Sequence, residues 1–120
     1  MTRLTIGLMG VGEMGAGLAN AFVHAGHNVI SDLTKRSEAS RMRASKAKIE
    51  GELSLEVVVK RSEILFSILP TQFAYEEAAR VSQLLRGAKA PPLFVEANAI
   101  APSLTADIAT LFLDNKAKFV

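Results

Sequence analysis

The 120-residue chain has no cysteine and no tryptophan, one tyrosine (Tyr75), two histidines and four prolines. Without cysteine there is no disulfide scaffold, thiol nucleophile, thiolate-bound zinc or iron–sulfur cluster, and the composition fits a reducing, cytoplasmic setting. His24 and His27 alone are too few to build a metal site, and none is expected. No apolar run approaches the roughly 18 residues of a membrane-spanning helix. The run that follows Arg3 is crowded by glycines and broken by Glu13, so it is not read as a targeting segment. Aromatic residues do not interleave with the cations, which leaves nucleic acid without stacking surfaces; neither nucleic acid nor membrane is the expected partner. Hydrophobic residues at 49% and charged residues at 22% describe a chain that folds around a core.

The net charge of +2 conceals an asymmetry. Lys35, Arg36, Arg41, Arg43, Lys46 and Lys48 face the single acid Glu38 within one segment, a local +5. Such a segment attracts an anion, and composition alone does not say which.

Short apolar runs alternate with helical periodicity. Leu4–Met9, Val29–Ser31, Glu63–Leu69 and Leu93–Glu96 read as buried strands, Lys48–Glu50 as a short edge strand, and Ala117–Val120 as a resumed strand pattern. Between them, Met14, Leu18, Ala21, Phe22 and Ala25 mark one apolar helix face ending at Gly26. Ser37 is placed to cap a basic helix running to Lys46, and Ser54–Lys60 reads as a short helix. Ala74, Ala78, Val81 and Leu85 mark another helix before Gly87. Leu104, Ile108, Leu111 and Phe112 mark the last, after Pro102. Strands alternating with helices predict an α/β fold of the Rossmann type, a doubly wound parallel sheet with helices on both faces.

Five of the eight glycines fall between residues 7 and 17, and Gly10, Gly12 and Gly15 spell G-V-G-E-M-G. The motif follows a predicted strand and opens a predicted helix, the setting in which it binds a dinucleotide. Gly10 suits a tight turn, Gly12 a close approach of backbone to pyrophosphate, and Gly15 close helix–strand packing. The G-K-[S/T] ending of a P-loop is absent. Asp32, 20 residues after Gly12, could accept from a ribose 2′-OH. Lys35, Arg36 and Ser37 could instead surround a 2′-phosphate. The basic segment favours NADP, with NAD the alternative, Arg36 as the planar donor and Ser37 as a hydroxyl contact.

The runs I-G-L-M-G-V-G-E-M-G (Ile6–Gly15), A-G-H (Ala25–His27), L-P (Leu69, Pro70) and E-A-N-A-I-A-P (Glu96–Pro102), in that order, resemble the amino-terminal domain of the β-hydroxyacid dehydrogenases. The family includes 3-hydroxyisobutyrate and 6-phosphogluconate dehydrogenases. The resemblance implies pyrophosphate binding by Gly10, Gly12 and Gly15 with the backbone of Glu13 and Met14. It places Leu69, Pro70 and Thr71 beside the nicotinamide ribose, and Asn98 beside nicotinamide and substrate or, alternatively, as a cap of the turn before Pro102. It implies hydride transfer between nicotinamide and a small hydroxy acid, or a related carbonyl or imine substrate, in a full-length homodimer. Residues 1–120 would be its NADP-binding domain, without the helical carboxy-terminal domain that carries the catalytic lysine. The chain alone is then expected to bind without turnover, and a non-catalytic NADP(H)-sensing module is the alternative. The acid or Asn-Arg pair of many members falls near Leu33, one position from Asp32.

Overall fold

The computed structural model describes residues 2–113 and 117–120. Strands β1 (Thr5–Met9), β2 (Asn28–Asp32), β3 (Glu50–Glu52), β4 (Ile64–Ser67) and β5 (Leu93–Glu96) alternate with helices α1 (Glu13–His24), α2 (Glu38–Lys46), α3 (Leu55–Arg61), α4 (Ala74–Leu84) and α5 (Pro102–Thr110). A 3-10 turn, Thr71–Phe73, leads into α4. The five strands form one parallel sheet in the order β3-β2-β1-β4-β5. From β1 the chain winds one way to β3, then crosses back and winds the other way from β4. The loops leaving β1 and β4 therefore part at the carboxyl edge, the switch point where open α/β sheets bind ligands.

Period-2 alternation divides the sheet between two cores. Met9, Ile30, Leu65 and Phe94 pack with Val58, Val81 and Ile108 on the α3–α4–α5 side. Leu8 and Val29, their sequence neighbours, pack with Ala16, Ala19 and Ala44 on the α1–α2 side. With both faces covered, the strands need the nearly continuous apolar runs that made them recognisable.

The apolar face expected for α1 is wrong. Gly15, Ala16 and Ala19 are its buried residues, whereas Met14 is 76% exposed and Ala21 and Ala25 are also exposed. The helix lies so close to the preceding turn that a Cβ on Gly15 would stand 2.6 Å from the Gly10 carbonyl oxygen. Close approach selects small residues for the contact face and moves larger ones to its flanks. Phe22 there packs on Phe66, with ring centroids 5.3 Å apart.

The edge strand begins two residues later than expected. Lys48 adopts φ 60 and the Ile49 amide bonds the Ala44 carbonyl at 2.9 Å, an α2 closure that occupies the intended start. Ala117–Val120 runs beside β5 through one parallel bridge, Phe94–Phe119, rather than a full strand. Its hydrogen bonds include Phe94 N to the Lys118 carbonyl, 2.9 Å, and Glu96 N to the Val120 carbonyl, 2.8 Å. His27 is structural: its Nδ1 accepts from the Leu4 amide at 3.0 Å.

Candidate functional site

The loop after β1 turns at Gly10, which has φ 96, a conformation L side chains rarely adopt. A Cβ there would fall 2.0 Å from the Ile68 carbonyl oxygen, so the loops after β1 and β4 meet backbone to backbone. Gly12 is different. It has ordinary dihedrals as the N-cap of α1, and a Cβ on it would meet nothing within 4 Å. Gly12 borders a cleft of about 510 Å³ together with the rest of the glycine loop, Ile68–Pro70, Arg36 and Ser40. Ser37 and Ser54 cap α2 and α3, whereas no side chain caps α1. The first-turn amides of α1 and its dipole are therefore available to an anion in the cleft. A pyrophosphate fits this lining of bare backbone with Arg36 opposite, and the glycine-loop residues Gly10, Gly12, Glu13, Met14 and Gly15 all border the cleft.

Arg36 also lines a second pocket, about 190 Å³, with Asp32, Lys35, Glu77 and Arg80. Asp32 Oδ1 accepts from the Thr34 amide at 3.0 Å and hydroxyl at 2.6 Å. Partial burial pushes this carboxyl's pKa up, but the Thr34 bonds and the Arg36 and Arg80 charges outweigh it, leaving the pKa below the usual carboxylate value. Ser37 lines neither pocket. Its Oγ accepts from the Ser40 amide at 3.1 Å as the α2 cap, and Ser40 borders the glycine cleft in its stead.

The +5 segment is not a single patch. Arg41 donates to the Leu33 and Thr34 carbonyls at 3.1 and 2.9 Å, and Arg43 donates to the Val11 carbonyl at 2.8 Å. Lys48 borders another pocket with Arg3, His27 and Glu50. Lys35 and Arg36 alone of that run face the Asp32 pocket.

Leu69 and Pro70 border the glycine cleft; Thr71, in the following 3-10 turn, does not. Asn98 ties the ends of β4 and β5 together. Its Oδ1 accepts from the Leu69 amide at 2.6 Å and its Nδ2 donates to Ser67 Oγ at 3.1 Å and to Glu96 Oε1. Both ends of the amide are engaged, so Asn98 reaches the site through the Leu69 loop. Burial of Glu96 raises its pKa, only partly offset by the bonds from Asn98, and its Oε2 is buried without a partner.

Glu77, Arg80 and Ser40 are the site residues that sequence reasoning missed. The first two lie on α4, which shares a pocket with the end of β2 only in three dimensions. Among the described residues there is no cluster able to hold a metal ion and no helix long and apolar enough to cross a membrane.

Comparison with known proteins agrees with the fold. No curated protein sequence matches the chain. Among solved structures, a conserved protein of unknown function with structural similarity to 3-hydroxyacid dehydrogenases superposes with a TM-score of 0.84 at 24% identity, over 97% of this chain and 42% of that one. Mycobacterium tuberculosis 3-hydroxyisobutyrate dehydrogenase, solved with L-serine, superposes at 0.79 and 21% identity, over 98% of this chain and 39% of its own. An imine reductase from Myxococcus stipitatus in complex with NADP+ gives 0.77 and 23%, over 96% and 39%. The chain thus spans about two-fifths of the length of these proteins. The family model for the NAD binding domain of 6-phosphogluconate dehydrogenase matches residues 5–120. The chain belongs to this family of dinucleotide-binding domains.

Proposed function

We propose that residues 1–120 are the NADP(H)-binding domain of an oxidoreductase that moves a hydride between nicotinamide and a small hydroxy acid or a related carbonyl or imine substrate. The observation that carries this reading is Arg36, which borders both the glycine cleft and the Asp32 pocket. One guanidinium between the pyrophosphate cradle and the end of β2 stands where a 2′-phosphate is distinguished from a bare ribose. A 3-hydroxyisobutyrate dehydrogenase and an imine reductase among the structural neighbours support the substrate class.

In this reading Gly10, Gly12 and Gly15, with the amides of Glu13 and Met14, hold the pyrophosphate. Arg36 and Lys35 take the 2′-phosphate. Leu69, Pro70 and Thr71 lie along the nicotinamide ribose, and Asn98 fixes the Leu69 backbone. The nicotinamide, when bound, supplies the hydride chemistry. No side chain of this chain is assigned the proton transfer, so the domain alone binds without turnover. Calorimetric titration with NADPH and NADH tests the assignment: NADPH binds more tightly, and Arg36→Ala removes the difference. Equal affinities unaffected by that substitution would refute NADP preference.

A further inference from the structure

The second pocket has a wall that the reading above does not use. Arg80, on α4, lines this pocket together with Lys35, Arg36 and Asp32. It is held there by Glu77: Arg80 Nη1 lies 3.1 and 3.2 Å from the two carboxylate oxygens. Both contacts use one nitrogen, so the donors on Nε and Nη2 remain for a ligand. The Glu77 carboxylate is the more sheltered partner, with 26% of its side chain exposed against 60% for Arg80.

We propose that Arg80 is a specificity-determining residue for the dinucleotide 2′-phosphate, supplied from α4 to the pocket that Arg36 also lines. The proposal rests on the NADP(H) reading above and deepens it. It also resolves an apparent conflict. An acid at the end of β2 would repel a 2′-phosphate, yet Asp32 shares its pocket with three cations, Lys35, Arg36 and Arg80, against one other acid, Glu77. Asp32 is bound through Oδ1 to Thr34 within its own loop. It acts as a loop staple whose charge the two guanidiniums offset, and the surplus of positive charge faces the incoming phosphate. Two planar donors from different elements can engage more of the oxygens of one phosphoryl group than either guanidinium alone.

The test is titration of the wild-type chain, Arg80→Ala, Arg80→Lys and Arg36→Ala with NADPH, NADH, 2′,5′-ADP and 5′-AMP, with thermal melts to confirm folding. Arg80→Ala should weaken NADPH and 2′,5′-ADP about tenfold while leaving NADH and 5′-AMP within about twofold, the size expected for one charge-assisted contact. Arg80→Lys should restore part of the loss. If Arg80→Ala leaves the NADPH-to-NADH ratio unchanged while Arg36→Ala collapses it, the proposal falls and the NADP(H) assignment stands. An equal loss for all four ligands also overturns it, since that marks a structural role. If the wild type binds neither dinucleotide, the underlying reading fails and this one with it.

Discussion

Arg43 on α2 donates through Nη1 to the Val11 carbonyl at 2.8 Å, fastening the helix to the middle of the glycine loop. The bond spans 32 positions, and Arg43 itself does not line the ligand cleft. Arg43→Ala should leave the buried Val11 carbonyl without this partner and cost about 1–3 kcal/mol of stability. Because the loop serves the pyrophosphate common to both dinucleotides, NADPH and NADH affinity should fall together. A change in the NADPH-to-NADH ratio would contradict this division of labour between Arg43 and Arg36.

Gly10 and Gly12 should separate folding from binding. Gly10→Ala places a Cβ 2.0 Å from the Ile68 carbonyl oxygen at a residue with φ 96, which only backbone movement relieves. A loss of about 2 kcal/mol or more is expected in denaturant melts. Gly12→Ala meets no atom within 4 Å, so stability should stay within about 0.5 kcal/mol of wild type, while dinucleotide binding should be lost if backbone at Gly12 approaches the pyrophosphate in the cleft it borders. A Gly12→Ala chain that binds normally would remove the cleft as the pyrophosphate site.

The strands and the glycine loop are legible in the sequence because a sheet buried on both faces demands apolar runs, and because a turn such as that at Gly10 admits few other residues. The cap Ser37 is legible for a local reason, since it bonds an amide three residues on; Ser54, which the sequence places inside its helix, caps α3 in the same way. The burial of α1 is not, because periodicity ranks residues by hydrophobicity while the close contact at Gly15 ranks them by size. The fate of the cations is equally hidden. Arg36 and Arg43 look alike in a basic run, yet one borders the clefts and the other is spent on a carbonyl. Arg80 shares a pocket with Asp32 only because the strand order returns β4, and the helix α4 that follows it, to the side of β1.

Asp32 offers a charge test of nucleotide choice. Asp32→Asn keeps an oxygen that can accept from Thr34 while removing the negative charge from the pocket. NADPH should bind a few-fold more tightly, since a carboxylate no longer faces the 2′-phosphate, and NADH should bind no better. The measurement is paired titration at low and moderate salt, where screening should shrink the NADPH gain. Tighter NADH binding, or weaker NADPH binding, would mean that Asp32 does not face the phosphate.

Glu96 should give the fold an identifiable pH dependence. Burial raises its folded-state pKa above 4.5, with Oε2 left unpartnered, so the folded chain holds this proton more tightly than the unfolded chain does. In the window above 4.5 the native state binds more protons than the unfolded state, and the slope of unfolding free energy with pH from this group is negative. Its contribution is thus present below the unfolded pKa and lost as pH rises through the folded one. Glu96→Gln removes the titration while keeping an oxygen for the Asn98 amide. The stability of wild type relative to Glu96→Gln should decline as pH rises from about 4 to 7, the interval that spans an ordinary Glu pKa and a raised one. Urea melts across that range measure it. A difference independent of pH would show that folding leaves the Glu96 pKa unshifted, and a difference that grows as pH rises would show that the folded state favours the carboxylate, making the polar tie from Glu96 through Asn98 to the Leu69 amide an ionised network.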